Sequence, residues 1–163
     1  GKIIEMIRHG QENVAIADRL HRWMRAILQA PSAASLPEVL VSTLRHEFMI
    51  PQAAVRLWTI DSGFEGQSFA QGVSDDVRAF ASSLAQPYCG INSGFEATRW
   101  LDDAGTVLST ALIPLRADEE ADAFGLLVLG SPDPTRYSAD KGTEFLARIG
   151  DIAASALSRL RTA

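Results

Sequence analysis

Arg56 and Trp58, in Val55-Arg56-Leu57-Trp58, and the adjacent pair Arg99-Trp100 are the residues of this chain best suited to recognising a ligand. A guanidinium beside an indole binds an anion through paired N–H donors and a planar group by stacking. Both have a plainer use: arginine as a solvated or internally paired cation, and Trp100 as a cap on the core beneath its loop. The single cysteine, Cys89, lies in Pro87-Tyr88-Cys89-Gly90. A reactive thiol needs a neighbouring cation to hold its thiolate. No Lys, Arg or His is adjacent, so a buried or pocket-lining cysteine is favoured over a reactive one. Asp133 stands between two prolines in Gly130-Ser131-Pro132-Asp133-Pro134-Thr135-Arg136-Tyr137. Its carboxylate can accept backbone N–H groups in a turn or pair with Arg136. That describes either a rigid strand-to-helix connection or a contact for a ligand or partner.

Other chemistry is poorly served. His9, His21 and His46 share no metal-ligand spacing. Gly90-Ile91-Asn92-Ser93-Gly94 is not a nucleophile elbow. Asp118-Glu119-Glu120 and Asp122 read as a solvated hairpin tip, too short for a calcium loop. The 163 residues are 47% hydrophobic and 21% charged, a soluble globular composition, and the net charge of -5 disfavours nucleic acid. One thiol excludes an intrachain disulfide and suits a reducing cytoplasm. No apolar run is long enough for a membrane span. The start has too short an apolar stretch for a signal peptide. Its first residue, Gly1, is consistent with a tag remnant or a fragment lacking upstream residues.

These residues need elements to position them. Residues 2–30 predict one helix, about 40 Å long at 1.5 Å per residue. One apolar stripe holds Ile3, Ile7, Val14, Ala17, Met24 and Leu28; a second holds Met6, Ile16, Leu20, Trp23 and Ile27. Asp18 precedes Arg22 by one helical turn, a supportive pairing. Two stripes imply packing on two sides, with the domain body on one and a partner helix on the other. The plainer alternative is a helix folded back on its own domain. Ser35-Leu36-Pro37-Glu38 starts a second helix with a serine cap, and Pro51 ends it. Residues 54–60 predict a strand with Val55, Leu57 and Thr59 on one face and Ala54, Arg56, Trp58 and Ile60 on the other. Residues 67–71 suggest a weak strand, Ser74 caps a helix, and 86–106 is loop-rich with a helical turn near 96–101. Strands at 107–115 and 123–130 form a hairpin, and Ser138 caps the last helix, in which Gly150, with Ala153 and Ala154, would permit close approach to a sheet or another helix. The order predicts an α+β fold: an antiparallel sheet with helices on one face and loops on the other. Residues 1–30 form the N-terminal helical unit and 31–163 the domain.

Val55-Arg56-Leu57-Trp58, Pro87-Tyr88-Cys89-Gly90, Ala111-Leu112-Ile113-Pro114-Leu115, Phe124-Gly125-Leu126-Leu127, the 130–137 segment and Gly142-Thr143-Glu144-Phe145-Leu146 together resemble the GAF domain, a sensor fold related to PAS. Within GAF-like proteins the chain looks most like a bacterial family of unknown function with an N-terminal helix. The resemblance implies a six-stranded antiparallel sheet, a loop-side pocket and dimerisation through terminal helices. Arg56, Trp58, Tyr88, Cys89, Arg99, Trp100 and Phe124 would then be the ligand-binding candidates. Asp133 and Arg136 would form a structural or partner-contact motif. Ile3, Ile7, Val14, Ile16, Leu20, Trp23, Met24 and Ile27 would form the dimer interface. The several cysteines of methionine-sulfoxide-reducing relatives, the histidine after the cysteine of bilin-binding relatives and the cyclic-nucleotide signature are all missing.

Three functions follow as expectations. The leading one is a non-enzymatic, cytoplasmic, homodimeric sensing or regulatory module for an unidentified small molecule, with no cofactor named by its residues. The second is an interaction scaffold with a vestigial pocket. The third is a thiol-dependent enzyme centred on Cys89.

Overall fold

In the central strand of the sheet, β4 (Gly125–Ser131), every residue is buried. The computed structural model describes residues 2–119, 121–139 and 143–162, apart from the side chain of His9. Glu120 of the hairpin tip and Gly142 of the family segment lie outside the described residues. Strand β4 pairs on one side with β1 (Gln52–Leu57) and on the other with β3 (Ser109–Leu115). β2 (Tyr88–Ile91) completes an antiparallel sheet of order β1-β4-β3-β2.

Period-two alternation sends neighbouring side chains to opposite faces. Leu127 and Leu129 of β4, Ile113 and Leu115 of β3, and Val55 and Leu57 of β1 join one core. That face is covered by α1 (Lys2–Leu28), α2 (Leu36–Phe48) and α4 (Glu144–Leu157). Leu126, Val128 and Leu112 point the other way, to α3 (Asp75–Ser83) and a 3-10 segment, Glu96–Trp100. The loop face therefore carries one helix as well as loops.

Several expectations are corrected. The sheet has four strands among the described residues, against the six implied by resemblance. Residues 67–71 contain a 3-10 turn, Ser68–Ala70, lying against β1. β2 falls inside the stretch read as loop; its four residues become a strand only by pairing with β3. β1 ends at Leu57, and Thr59 takes a left-handed φ of 58°. That breaks the alternation and turns Ile60 toward the helix-side core, where it bridges to Arg161. Ser35 does not cap α2; its hydroxyl bonds Ser32 instead. Ser74 does cap α3, accepting from the Val77 N–H at 3.1 Å. The last helix begins at Glu144, later than a Ser138 cap would start it, with Thr143 at its N-terminus.

The second half of α1 is held by α2. Trp23 is fully buried and its indole N–H donates to the Leu40 carbonyl at 3.0 Å. Arg22 pairs with Glu47 of α2 at 2.9 Å, in place of the Asp18 partner its spacing predicts. At the other end of α2, Met49 adopts a left-handed φ of 52°. The last carbonyls of a helix have no partner within it. Arg136 donates to two of these, Phe48 at 3.0 Å and Met49 at 2.9 Å.

α4 packs directly on the sheet because Gly150 has no side chain. A Cβ there would stand 2.6 Å from Ile113 Cγ2. Alanine is favoured over glycine inside a helix by about 1 kcal/mol. Overpacking a core costs roughly 1–3 kcal/mol. Ile113 is β-branched and buried, so it yields poorly and overpacking should win. Gly150→Ala is expected to lower the urea midpoint at unchanged m-value; a raised midpoint would show that the helix–sheet contact relaxes freely.

Candidate functional site

Arg56 and Trp58 both turn to the loop face. The Arg56 guanidinium carbon lies 5.6 Å from the centroid of the Trp100 ring. Its Nε is buried without a hydrogen-bond partner, and Nη1 reaches only the Val55 carbonyl at 3.4 Å. Burial holds its pKa below the usual arginine value. Trp58 is buried, and its indole N–H donates to the Ala123 carbonyl at 2.7 Å. Tyr88 packs edge-on against Phe95 at 4.8 Å, and its hydroxyl donates to the Ile91 carbonyl at 2.9 Å. These side chains fill the middle of the face, while at the β1 edge Arg56 also lines an open groove of about 470 Å³ with α2 and residues 67–69. What remains beside Val77, Phe80 and Phe95 is an apolar recess of about 180 Å³. Pockets that bury a drug-sized ligand usually span about 300–1,000 Å³.

The other expected ligand contacts are elsewhere. Arg99 is exposed. Cys89 follows Tyr88 in a strand, so it points to the helix face, where it is 8% exposed. Phe124 also belongs to the helix-side core, with the Arg161 guanidinium 5.1 Å from its ring centroid. The structure thus gathers Arg56, Trp58, Tyr88 and Trp100 on one face and separates Cys89 and Phe124 from them.

On the helix face, Cys89 lines a cavity of about 210 Å³ between the end of α2 and the start of α4. The 130–137 segment forms one wall. Asp133 Oδ1 accepts from the Thr135 N–H at 2.9 Å and its hydroxyl at 2.8 Å, and Ser109 Oγ donates to the Asp133 carbonyl at 2.6 Å. This network sets Arg136 on the end of α2 and turns Tyr137 inward. Tyr137 is 7% exposed, and its hydroxyl is buried beside Arg136 with no acceptor for its proton. Sequence reasoning named Arg136 but passed over Tyr137; its place at the end of the family segment was the available signal.

From Ile16 onward α1 separates its two stripes, whereas Met6 of the second stripe is exposed like its neighbours in the first. Leu20, Trp23 and Ile27 are buried against α2 and Ile16 partly so, which removes them from any dimer interface. Ile3, Ile7, Val14 and Met24 are exposed. An open cleft of about 910 Å³ lies between α3, the β3–β4 hairpin and α4. Its Arg116 is engaged by the Ala81, Ser82 and Ala121 carbonyls. Among the described residues no cluster could hold a metal ion, and no helix is long and apolar enough to cross a membrane.

Burial pushes the Tyr137 pKa above 10.0, with the charge of Arg136 acting the opposite way. A raised folded-state value means that the stability it contributes is whole below the unfolded pKa and is lost as pH rises through the folded one. Tyr137→Phe should therefore unfold less steeply than the parent chain above pH 10.0, in urea titrations across pH. At neutral pH it should be neutral or up to about 1 kcal/mol more stable, since it removes a buried donor without an acceptor. A clear neutral-pH loss would reveal a hydrogen bond at that hydroxyl.

A search of curated proteins finds no match to this sequence. Among solved structures, the chain is similar to the GAF domain of a protein assigned as a sensor histidine kinase from Pseudomonas syringae pv. tomato. That match has 20% identity and a TM-score of 0.59, covering 94% of this chain and 92% of that one. It is similar to the GAF domain of a phosphoenolpyruvate-protein phosphotransferase from Coxiella burnetii, at 11% identity and TM-score 0.60, covering 90% and 94%. It is also similar to a free methionine-R-sulfoxide reductase from Neisseria meningitidis, solved with its substrate, at 12% identity and TM-score 0.58, covering 88% of each chain. At these identities the likeness concerns the fold alone. The family model described as "Protein of unknown function, DUF484" matches residues 2–162, so the chain, with its GAF-like fold, belongs to that family.

Proposed function

We propose that this chain is a non-enzymatic regulatory module that pairs with a second copy along α1 and adjusts that pairing in response to a small molecule. The observation that carries it is the exposed seam of α1. Positions 3, 7, 10, 14, 17, 21, 24 and 28 advance by alternating steps of four and three. That is the a/d spacing of a coiled coil. Ile3 is 73%, Ile7 57% and Val14 61% exposed, too much apolar surface for a helix meant to stand alone in water. Gly10 and His21 occupy two seam positions and would weaken the pairing, which suits an association open to adjustment. The opposite side of α1 is bound to α2 through Trp23, so a change in the helix layer can reach the seam.

The filled loop face favours a second reading, an interaction scaffold with a vestigial pocket. A thiol-dependent enzyme has less support, because the chain's one cysteine, Cys89, is buried. A net charge of -5 argues against nucleic acid as a partner, and the lone thiol suits a cytoplasmic setting.

Sedimentation of the parent chain and of Ile7→Glu tests the pairing. The parent should dimerise at high micromolar concentration. Ile7→Glu should weaken the dimer by at least about tenfold, since burying an isoleucine stabilises by roughly 1.5–3 kcal/mol per copy. A monomeric parent chain would overturn the proposal. Native and denaturing masses compared on the same sample separate the readings: a dimer with added noncovalent mass supports sensing, and a dimer without it supports the scaffold.

A further inference from the structure

We propose that the cavity behind residues 133–137, on the helix face of the sheet, binds a small carboxylic acid with a short aliphatic tail. Its volume of about 210 Å³ has room for about seven non-hydrogen atoms at the ~30 Å³ that each water occupies in the liquid. Phe48, Ile50, Leu129, Phe145 and Leu146 supply apolar walls. Phe48 and Phe145 meet edge to face at 5.1 Å and close one side.

Two polar features break this apolar lining and point to the headgroup. The Tyr137 hydroxyl is a buried donor without an acceptor, on a residue that lines the cavity. Buried polar groups are ordinarily satisfied, so a ligand oxygen is the acceptor it lacks. Arg136 also lines the cavity, its guanidinium held at the rim by the carbonyls of Phe48 and Met49 and 5.7 Å from the Tyr137 ring centroid. Its positive charge favours an acceptor that is anionic. An inorganic anion would leave the hydrophobic walls unused, and a neutral hydrocarbon would leave the hydroxyl unmet. A carboxylate of five or six carbons in all, about seven or eight non-hydrogen atoms, meets both.

The site has a mechanical position. It joins the C-terminal end of α2 to the first turn of α4, and α2 holds α1 through Trp23. As an input to α1 pairing, occupancy rests on the regulatory reading above; as a binding site it stands apart from that reading.

The test is titration of the full chain with sodium hexanoate, followed by calorimetry and ligand-observed NMR, with 1-hexanol and hexylamine as chain-length controls. Saturable one-to-one binding of hexanoate is expected, with both controls at least about tenfold weaker for want of a charge-assisted bond. Tyr137→Phe should weaken hexanoate by about tenfold or more, while Leu146→Phe, which narrows the cavity, should abolish binding. Should Leu146→Phe fail to fold, Tyr137→Phe decides alone, since it only removes an oxygen. Absence of saturable binding, equal binding of hexanol, or unchanged binding by Tyr137→Phe would each overturn the site. Sedimentation with and without hexanoate addresses the coupling separately. Binding with unchanged association would overturn the link to α1 and leave the site standing.

Discussion

Strand β4 is buried at all seven positions and has a strand on each side. Its apolar side chains alternate, so neither face of the sheet can meet water without a large hydrophobic cost. Both faces must be covered, and the covering elements differ. Long amphipathic helices supply one layer, and α3 with short 3-10 turns supplies the other. The loop layer lacks long elements, so large side chains fill the space: Trp58, Tyr88, Phe95 and Trp100. The demand for two-sided burial is thus what occupies the face where a ligand pocket was expected.

The helix layer is tied together by polar groups in an apolar setting. The Trp23 indole is fixed on the backbone of α2, and Arg136 satisfies the exposed carbonyls at the end of the same helix. That second tie spans just over half of the chain, because Arg136 comes from the loop after β4. The loop is in turn held to β3 by Ser109. Helix α1, helix α2, the 130–137 segment and the edge of the Cys89 cavity therefore form one connected body. A perturbation at the cavity has a short mechanical path to α1, whereas among the described residues the packed loop face has no comparable link to the N-terminal helix.

Much of this was readable in the chain. The stripe holding Leu20, Trp23 and Ile27 marked the side of α1 that packs on its own domain, and the β3–β4 hairpin followed from paired apolar runs. Arg56 and Trp58 fell on the same face of β1 by period-two alternation, as they do in the structure. Gly150 marked a close approach, which is the contact with Ile113. Local pattern suffices wherever the periodicity of one segment decides which side is buried.

Tertiary structure decided what local pattern could not. Tyr88-Cys89-Gly90-Ile91 has too weak a pattern to be a strand alone and becomes one beside β3, which then sends Tyr88 and Cys89 to opposite faces. Which stripe of α1 is buried depended on α2, through a hydrogen bond between residues far apart in sequence. Tyr137 looked like the end of a rigid connector. Only the meeting of β2, α2 and α4 around it leaves its hydroxyl buried and without an acceptor. The sequence by itself determined the antiparallel α+β plan and the amphipathic faces, because those rest on periods of two and 3.6 residues. The site was decided in three dimensions, because a cavity is the space left between elements, and no single segment encodes the distance to its neighbours.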